Sequence, residues 1–251
     1  MNRILEIVVK DSLLKWLEYH NILPDSQFGF RPNRSVAMAV TCLQADCAAA
    51  KNRGEAVAIK AYDLSAAFDA IGIEPLTQKL EAVGVIGTPF EWIKSYMSKR
   101  SQAVIWNNHT SKSLDLSYGV PQGSILGPLL FLIMVADLPK FVTHGSPKNV
   151  NANMMCFADD SSLYAYSKSS TSLLEGLETM SKRMIQYCKE VGLVINSEKT
   201  QLLVSGFKSK DVKDISLRVG SNHVHPSKEI CLLSITLDTN FSTAPYLRRL
   251  F

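Results

Sequence analysis

The sequence contains no GxxxxGK phosphate loop, no GxGxxG dinucleotide fingerprint and no HExxH zinc motif. Their absence argues against a P-loop nucleotide hydrolase, a Rossmann dinucleotide enzyme or a zincin. Its five cysteines (Cys42, Cys47, Cys156, Cys188 and Cys231) are odd in number and form no CxxC pair. They therefore read as reduced, mostly buried thiols of an intracellular protein. No apolar run is long enough to span a bilayer: the most hydrophobic stretch, residues 125–136, carries Pro128 near its start and reads as a buried helix. Arg3, Glu6 and Lys10 break up the first residues, so no secretory signal is expected. There is no internal repeat and no low-complexity tract.

What remains is an ordinary globular composition, 46% hydrophobic and 20% charged over 251 residues, enough for a sizeable core. The net charge of +4 permits a nucleic-acid partner without requiring one.

Helical periodicity marks residues 2–20, and a helix starting so near Met1 suggests that the chain begins inside a domain. A Gly/Pro-rich loop, Gln27-Phe28-Gly29-Phe30-Arg31-Pro32, mixes aromatic and basic residues suited to phosphate or base contact; a plain interhelical turn is the simpler alternative. Ser35 is placed to cap a helix reaching Asn52. Residues 57–64 read as a buried strand that ends on Asp63. Pro75 and Gly84 bracket a helix, and Thr88 with Glu91 resembles a capping box around Pro89. Residues 102–107 and 113–118 read as a hairpin turning at residues 107–110. Gly119-Val120-Pro121-Gln122-Gly123-Ser124 is a tight turn opening a helix over 125–137, whose first amides are free to face an anion. Residues 171–191 carry the strongest amphipathic pattern, with Gly192 as its stop. Two strands, 192–196 and 200–205, flank Ser197-Glu198-Lys199, and further strands fall near 214–219 and 229–237. His223 and His225 read as surface residues rather than metal ligands.

The decisive stretch is Phe157-Ala158-Asp159-Asp160, two adjacent carboxylates between apolar runs. It reads as a hairpin with both aspartates at the turn. Alone, it fits a solvated turn as well as a metal site. Asp63, far away in sequence, provides a third carboxylate. Three carboxylates from separate elements suit two hard divalent cations, and two such ions clamp an in-line phosphoryl displacement.

These segments, with Asp63-Leu64-Ser65-Ala66-Ala67-Phe68-Asp69 and Gly192-Leu193-Val194-Ile195-Asn196-Ser197-Glu198-Lys199-Thr200, resemble in order and spacing the motifs of the reverse transcriptase domain of non-LTR (LINE-type) retrotransposons. The resemblance covers roughly residues 2–240. It implies an α+β right-hand polymerase: fingers or fingers–palm elements over about 1–56 and 72–112, and palm over about 57–71 and 113–215, an antiparallel sheet packed on helices. The start of the primer-grip and thumb region would fall in 216–251, with fingers and thumb incomplete. It also implies RNA-directed DNA synthesis from deoxynucleoside triphosphates, an RNA template, a DNA primer and two Mg²⁺ ions, with Mn²⁺ as a substitute. No membrane role is implied, and the setting would be the nucleus or a cytoplasmic ribonucleoprotein.

On the same resemblance Asp63, Asp159 and Asp160 hold metal, and Lys199 acts near the triphosphate as a counter-charge or proton donor. Leu64, Phe68, Gln122 and Gly123 would meet the incoming nucleotide, Phe68 as a ring that excludes the 2′-hydroxyl. Phe28, Gly29 and Arg31 would contact template from the fingers, and Asp69 would be structural. The chain departs from the family in Leu233-Ser234, where Leu-Gly is usual, and in lacking an upstream fingers strand and a complete thumb. Two other readings stay open: a non-catalytic retrotransposon remnant that folds or binds nucleic acid, and a cyclase- or primase-like palm, which leaves the Gly-Val-Pro-Gln-Gly turn unexplained.

Overall fold

A computed structural model describes the chain apart from Met1, Gln122, residues 208–211, Lys213, Ser221 and Phe251. It divides into two units. One comprises residues 1–23, 66–136 and 191–193, the other residues 24–65, 137–190 and 194–251.

The second unit is built on a five-stranded sheet. Its strands are β1 (Ala56–Ser65), β6 (Asn151–Phe157), β7 (Asp160–Ser167), β8 (Val194–Ser205) and the short β11 (Pro226–Ser227). Their order is β11-β8-β1-β7-β6, and only β11 runs parallel to its neighbour. Both edges of β1 are paired, so its side chains alternate between two covered faces and nearly all are buried. Val57, Ile59 and Ala61 join a core formed with α2 (Val36–Asn52) through Val40, Leu43 and Cys47. Ser35 Oγ accepts from Met38 N at the start of α2, the cap expected from sequence.

The opposite face of β1 carries Lys60 and Tyr62 toward α7 (Ser170–Val191), where Lys60 Nζ donates to Ser181 Oγ at 2.9 Å. Tyr62 Oη shares that hydroxyl at 2.9 Å, and Ser181 Oγ donates onward to Leu177 O. Leu173, Leu177, Met180 and Met184 of α7 are fully buried, so the methionines are core filler. Two small strand pairs and a last helix complete the unit: β9 (Leu217–Val219) with β10 (Asn222–Val224), β12 (Glu229–Leu232) with β13 (Ile235–Asp238), and α8 (Ala244–Leu250).

The first unit contains α1 (Asn2–Tyr19), α3 (Ile73–Ala82), α4 (Thr88–Met97) and α5 (Gly127–Met134), with β2 (Arg100–Gln102), β3 (Ile105–Trp106), β4 (His109–Thr110) and β5 (Leu114–Leu116). Glu6 of α1 is buried, and its Oε2 accepts from Ile125 N at 2.8 Å and Leu126 N at 3.4 Å. The amides expected to face an external anion at the start of α5 are therefore taken by the chain's own carboxylate, which also complements the helix dipole.

Several sequence expectations shift. The helix expected over 125–137 stops at Met134, and α6 (Leu138–Thr143) starts anew with Pro139 in its first turn, where proline is tolerated. Gly87, not Thr88, is the N-cap of α4, and no side chain caps it. The hairpin over 102–118 is interrupted, pairing β2 with β5 and β3 with β4. Its turn is Asn107-Asn108, both at positive φ, so His109 and Thr110 are strand. The two strands expected around Ser197-Glu198-Lys199 are one strand with a bulge. Among the described residues, no helix is long and apolar enough to cross a membrane.

Burial lowers the Lys60 pKa to about 8, against a weaker opposing pull from Glu178. The unfolded chain binds this proton up to about pH 10.4, so between the two values the unfolded state holds more protons and folding stability rises with pH. Lys60→Met is expected to raise stability at pH 7 by roughly 1–3 kcal/mol and to flatten that rise between about pH 8 and pH 9.5. Denaturant unfolding across that range measures it; an unchanged slope refutes the assignment.

Candidate active site

The register of β1 and β7 brings the carboxylates together. Ile59 pairs with Tyr164, Ala61 with Ser162 and Tyr62 with Ser161. The ladder ends there; the next residues on the two strands are Asp63 and Asp160, which face one another when the register is carried one step further. Ile59 and Tyr164 share the α2-side core, so by strand alternation Asp63 and Asp160 project from that same face.

The turn differs from expectation in one respect. Phe157 pairs with Asp160, so the two loop residues are Ala158 and Asp159, and Asp160 already belongs to β7. The aspartates therefore occupy different structural positions. Asp160 and Asp63 line a cavity of about 500 Å³ with Ser161, Ser162, Lys199 and Gln201. Asp159 sits at the tip and is not among the lining residues. Among the described residues, no group of three or more His, Cys, Asp or Glu side chains is gathered to hold a metal.

Electrostatics still mark the spot. Desolvation raises the pKa of Asp160, and the charges of Asp159 and Asp63 push it in the same direction. Like charges on opposed strand positions are unfavourable without a counter-charge. One is supplied by Lys199, whose Nζ lies 3.8 Å from Asp63 Oδ2. Lys199 reaches that place because β8 bulges. Gln201 pairs with Ala61 and Asn196 with Asp63, which leaves four β8 residues opposite Tyr62 alone. Asn196 shapes the bulge: its Oδ1 accepts from Glu198 N at 3.1 Å and Lys199 N at 3.3 Å, while its carbonyl accepts from Thr200 Oγ1. Both partners of the Lys199–Asp63 pair are substantially exposed, so it is worth about 1 kcal/mol or less and is easily exchanged for another anion.

Across the cavity lies the β12–β13 turn, Leu233-Ser234, with φ of +50° and +68°. Ser234 thus occupies a left-handed position that glycine adopts without cost. Gln201 ties this hairpin to the sheet, its Oε1 accepting from Cys231 N at 3.0 Å. Sequence reading did not single out Asn196 or Gln201, because their partners become visible only once β8 is paired.

The remaining sequence candidates are distributed as follows. Leu64 is buried and pairs with Ile195. Phe68 lies in the other unit, its ring 4.9 Å from that of Phe131, and its carbonyl accepts from Val120 N. Gly123 has φ of +74° with open space around it, and Gln122 lies outside the described residues. Phe28 is buried in the α2 core, and Arg31 donates to Pro24 O and Gln27 O. Gly29 packs on the Asp-Asp hairpin: a Cβ there would lie 2.4 Å from Ala158 N. The contacts seen for Phe28, Gly29 and Arg31 are thus internal to the fold.

Comparison with known proteins completes the picture. The family model described as reverse transcriptase (RNA-dependent DNA polymerase) matches residues 2–237. This chain belongs to the reverse transcriptase family. It is 28% identical over 252 residues to the probable RNA-directed DNA polymerase from transposon BS of Drosophila melanogaster, and 24% identical over 238 residues to the RNA-directed DNA polymerase from mobile element jockey of the same fly. The matches cover 99% and 95% of this chain but 27% and 26% of those relatives, so the reverse transcriptase chain spans about a quarter of their length. This likeness places it with the LINE-type domains. Among solved structures, telomerase from Candida tropicalis in complex with the TWJ fragment of telomeric RNA superposes with a TM-score of 0.64 at 12% identity, over 94% of this chain and 37% of that one. Apo telomerase from the same yeast gives 0.64 over 94% and 40%. That likeness establishes the fold, a polymerase palm-like α+β sheet packed on helices.

Because the Asp160 pKa is raised in the fold, the folded state of the reverse transcriptase chain holds more protons just above the ordinary carboxylate pKa, and stability falls as pH rises through that window. Asp160→Asn removes this dependence. In metal-free buffer at pH 7 it is expected to raise Tm slightly, by about 1–2 °C given the partial exposure of the group. A variant that melts lower at pH 7 and keeps the wild-type slope contradicts the crowding of these carboxylates.

Proposed function

We propose that the chain is the catalytic palm portion of an RNA-directed DNA polymerase that adds deoxynucleotides to a primer 3′-hydroxyl on an RNA template. The observation that carries this reading is that Asp63 and Asp160, at adjoining ends of β1 and β7, line one cavity with Lys199 beside Asp63. Family membership gives the reaction class; the geometry supports assigning roles.

Reverse transcriptases generally use divalent metal ions, and the residues here fit a hard cation. The donors are carboxylate oxygens, and their mutual repulsion at Asp160 is the kind of charge a cation relieves. Mg²⁺ in particular is held by one or two carboxylates plus substrate phosphates rather than by an all-protein cage, which suits two cavity-lining aspartates better than a closed cluster. Asp63 and Asp160 would hold it, with Asp159 supplying the neighbouring charge. Two bound Mg²⁺ ions would supply Lewis-acid stabilisation of the attacking and leaving oxygens.

The chain's own residues do the rest. Lys199, loosely held by Asp63, is placed to exchange that partner for the triphosphate and to donate a proton to departing pyrophosphate. Ser161 and Ser162 put hydroxyls on the cavity wall. The Leu233-Ser234 turn forms the facing rim, the side we assign to the primer end. In this reading the sheet unit is palm, and residues 216–251 begin the primer grip.

Primer extension on an RNA template with Mg²⁺ tests the proposal. Asp63→Ala and Asp160→Ala are each expected to lower the rate at least about a thousandfold, and Asp159→Ala by less. Lys199→Ala should lower kcat by about a hundredfold. A well-folded wild-type chain that extends no primer identifies the non-catalytic reading as the correct one.

A further inference from the structure

We infer that Gln27 is a positioning residue that sets the metal-holding carboxylates through the Ala158-Asp159 turn; the inference rests on the cation site proposed for Asp63 and Asp160.

Gln27 is buried, 2% exposed, and lies 131 positions from the turn it touches. Its side-chain Oε1 accepts two backbone hydrogen bonds, from Gly29 N at 2.9 Å and from Ala158 N at 3.0 Å. Both partners are donors, so the amide oxygen must be the atom that faces them. The backbone adds a second tie: Phe28 N donates to Cys156 O at 2.7 Å and Cys156 N to Ser26 O at 2.8 Å, a parallel bridge between Gln27 and Cys156. The Gln27-Phe28-Gly29 segment is thus fastened to β6 and to the first residue of the turn.

That turn needs fastening. Ala158 has φ of +56°, a left-handed conformation unfavourable for any residue with a Cβ, and Ala has no polar side chain to offset it. Ala158 is also buried, where an unpaired amide is costly, and Gln27 Oε1 is the partner its amide has. Gly29 makes the approach possible, since a Cβ there would meet Ala158 N at 2.4 Å and Phe157 C at 3.0 Å. The next residues are Asp159 and Asp160. Whatever fixes the peptide entering this pair fixes the direction in which Asp160 leaves the turn and faces Asp63. A buried glutamine in one loop therefore restrains the angle between carboxylates on two other strands.

The variants that test this are Gln27→Met, which keeps the length and loses the acceptor, and the double variant Gln27→Met with Ala158→Gly. In the double variant the turn adopts positive φ without strain and holds its shape without the clamp. The full chain is titrated with Mn²⁺ by electron paramagnetic resonance, and amide hydrogen exchange of residues 157–160 is followed by mass spectrometry without metal. Far-ultraviolet circular dichroism melts confirm that each variant is folded at the measuring temperature. Gln27→Met is expected to weaken Mn²⁺ binding about tenfold and to speed exchange at the turn at least about tenfold, while the double variant recovers most of the Mn²⁺ affinity. Wild-type affinity and exchange in Gln27→Met overturn the proposal, as does a double variant no better than the single one, since a merely structural defect gains nothing from glycine at position 158. If the wild type itself binds no Mn²⁺, the cation reading fails, and the exchange data alone decide whether Gln27 holds the turn.

Discussion

The double pairing of β1 is the constraint on which the site depends. A strand with β7 on one edge and β8 on the other has no freedom in register, because a slip of one residue would turn Val57, Ile59 and Ala61 away from the α2 core. Hydrophobic burial sets that register, and the register then places Asp63 across from Asp160. The apolar pattern of the strand thus decides where the charges go. The cost falls at the end of the strand, where two carboxylates share a face and Lys199 sits beside Asp63 as a counter-charge. A binding site that stabilises a cation is the usual use of such a local conflict.

Much of this was readable from the chain. The helices over residues 2–19, 36–52 and 170–191 follow directly from periodicity and caps, and the buried strand ending on Asp63 from its apolar run. The Asp-Asp hairpin was legible as a motif, but its phase was not. Only the Phe157–Asp160 pairing shows that Asp159 is loop and Asp160 strand, which sends the two carboxylates to different places. The bulge carrying Lys199 was likewise read as a break between two strands, because Asn196 and Ser197 look like turn residues. The paired neighbour β1 keeps the strand continuous through it. Gln27 gave no local signal, since its meaning lies in an amide 131 positions away.

Two further features show tertiary context overriding local preference. Ala158, Leu233 and Ser234 take left-handed backbone angles that Gly or Asn would adopt more readily, and all lie at or beside the candidate site. Strain of this kind persists only where the surroundings over-determine it. For Ala158 those surroundings are Gln27 and Gly29. Lys60 is the counterpart in the core: a lysine with no exposed surface, tolerated because Ser181 and Tyr62 complete a small hydrogen-bonded group with it.

The central claim is that Asp63 and Asp160 together form the cation-holding pair of a polymerase palm. Anomalous diffraction from crystals of the chain soaked in Mn²⁺ tests it most directly. The account predicts a manganese peak within about 2–2.5 Å of carboxylate oxygens from both Asp63 and Asp160, with the Lys199 ammonium displaced from Asp63. Crystals that show the sheet as described but carry no manganese there, with Lys199 still seated on Asp63, would contradict it.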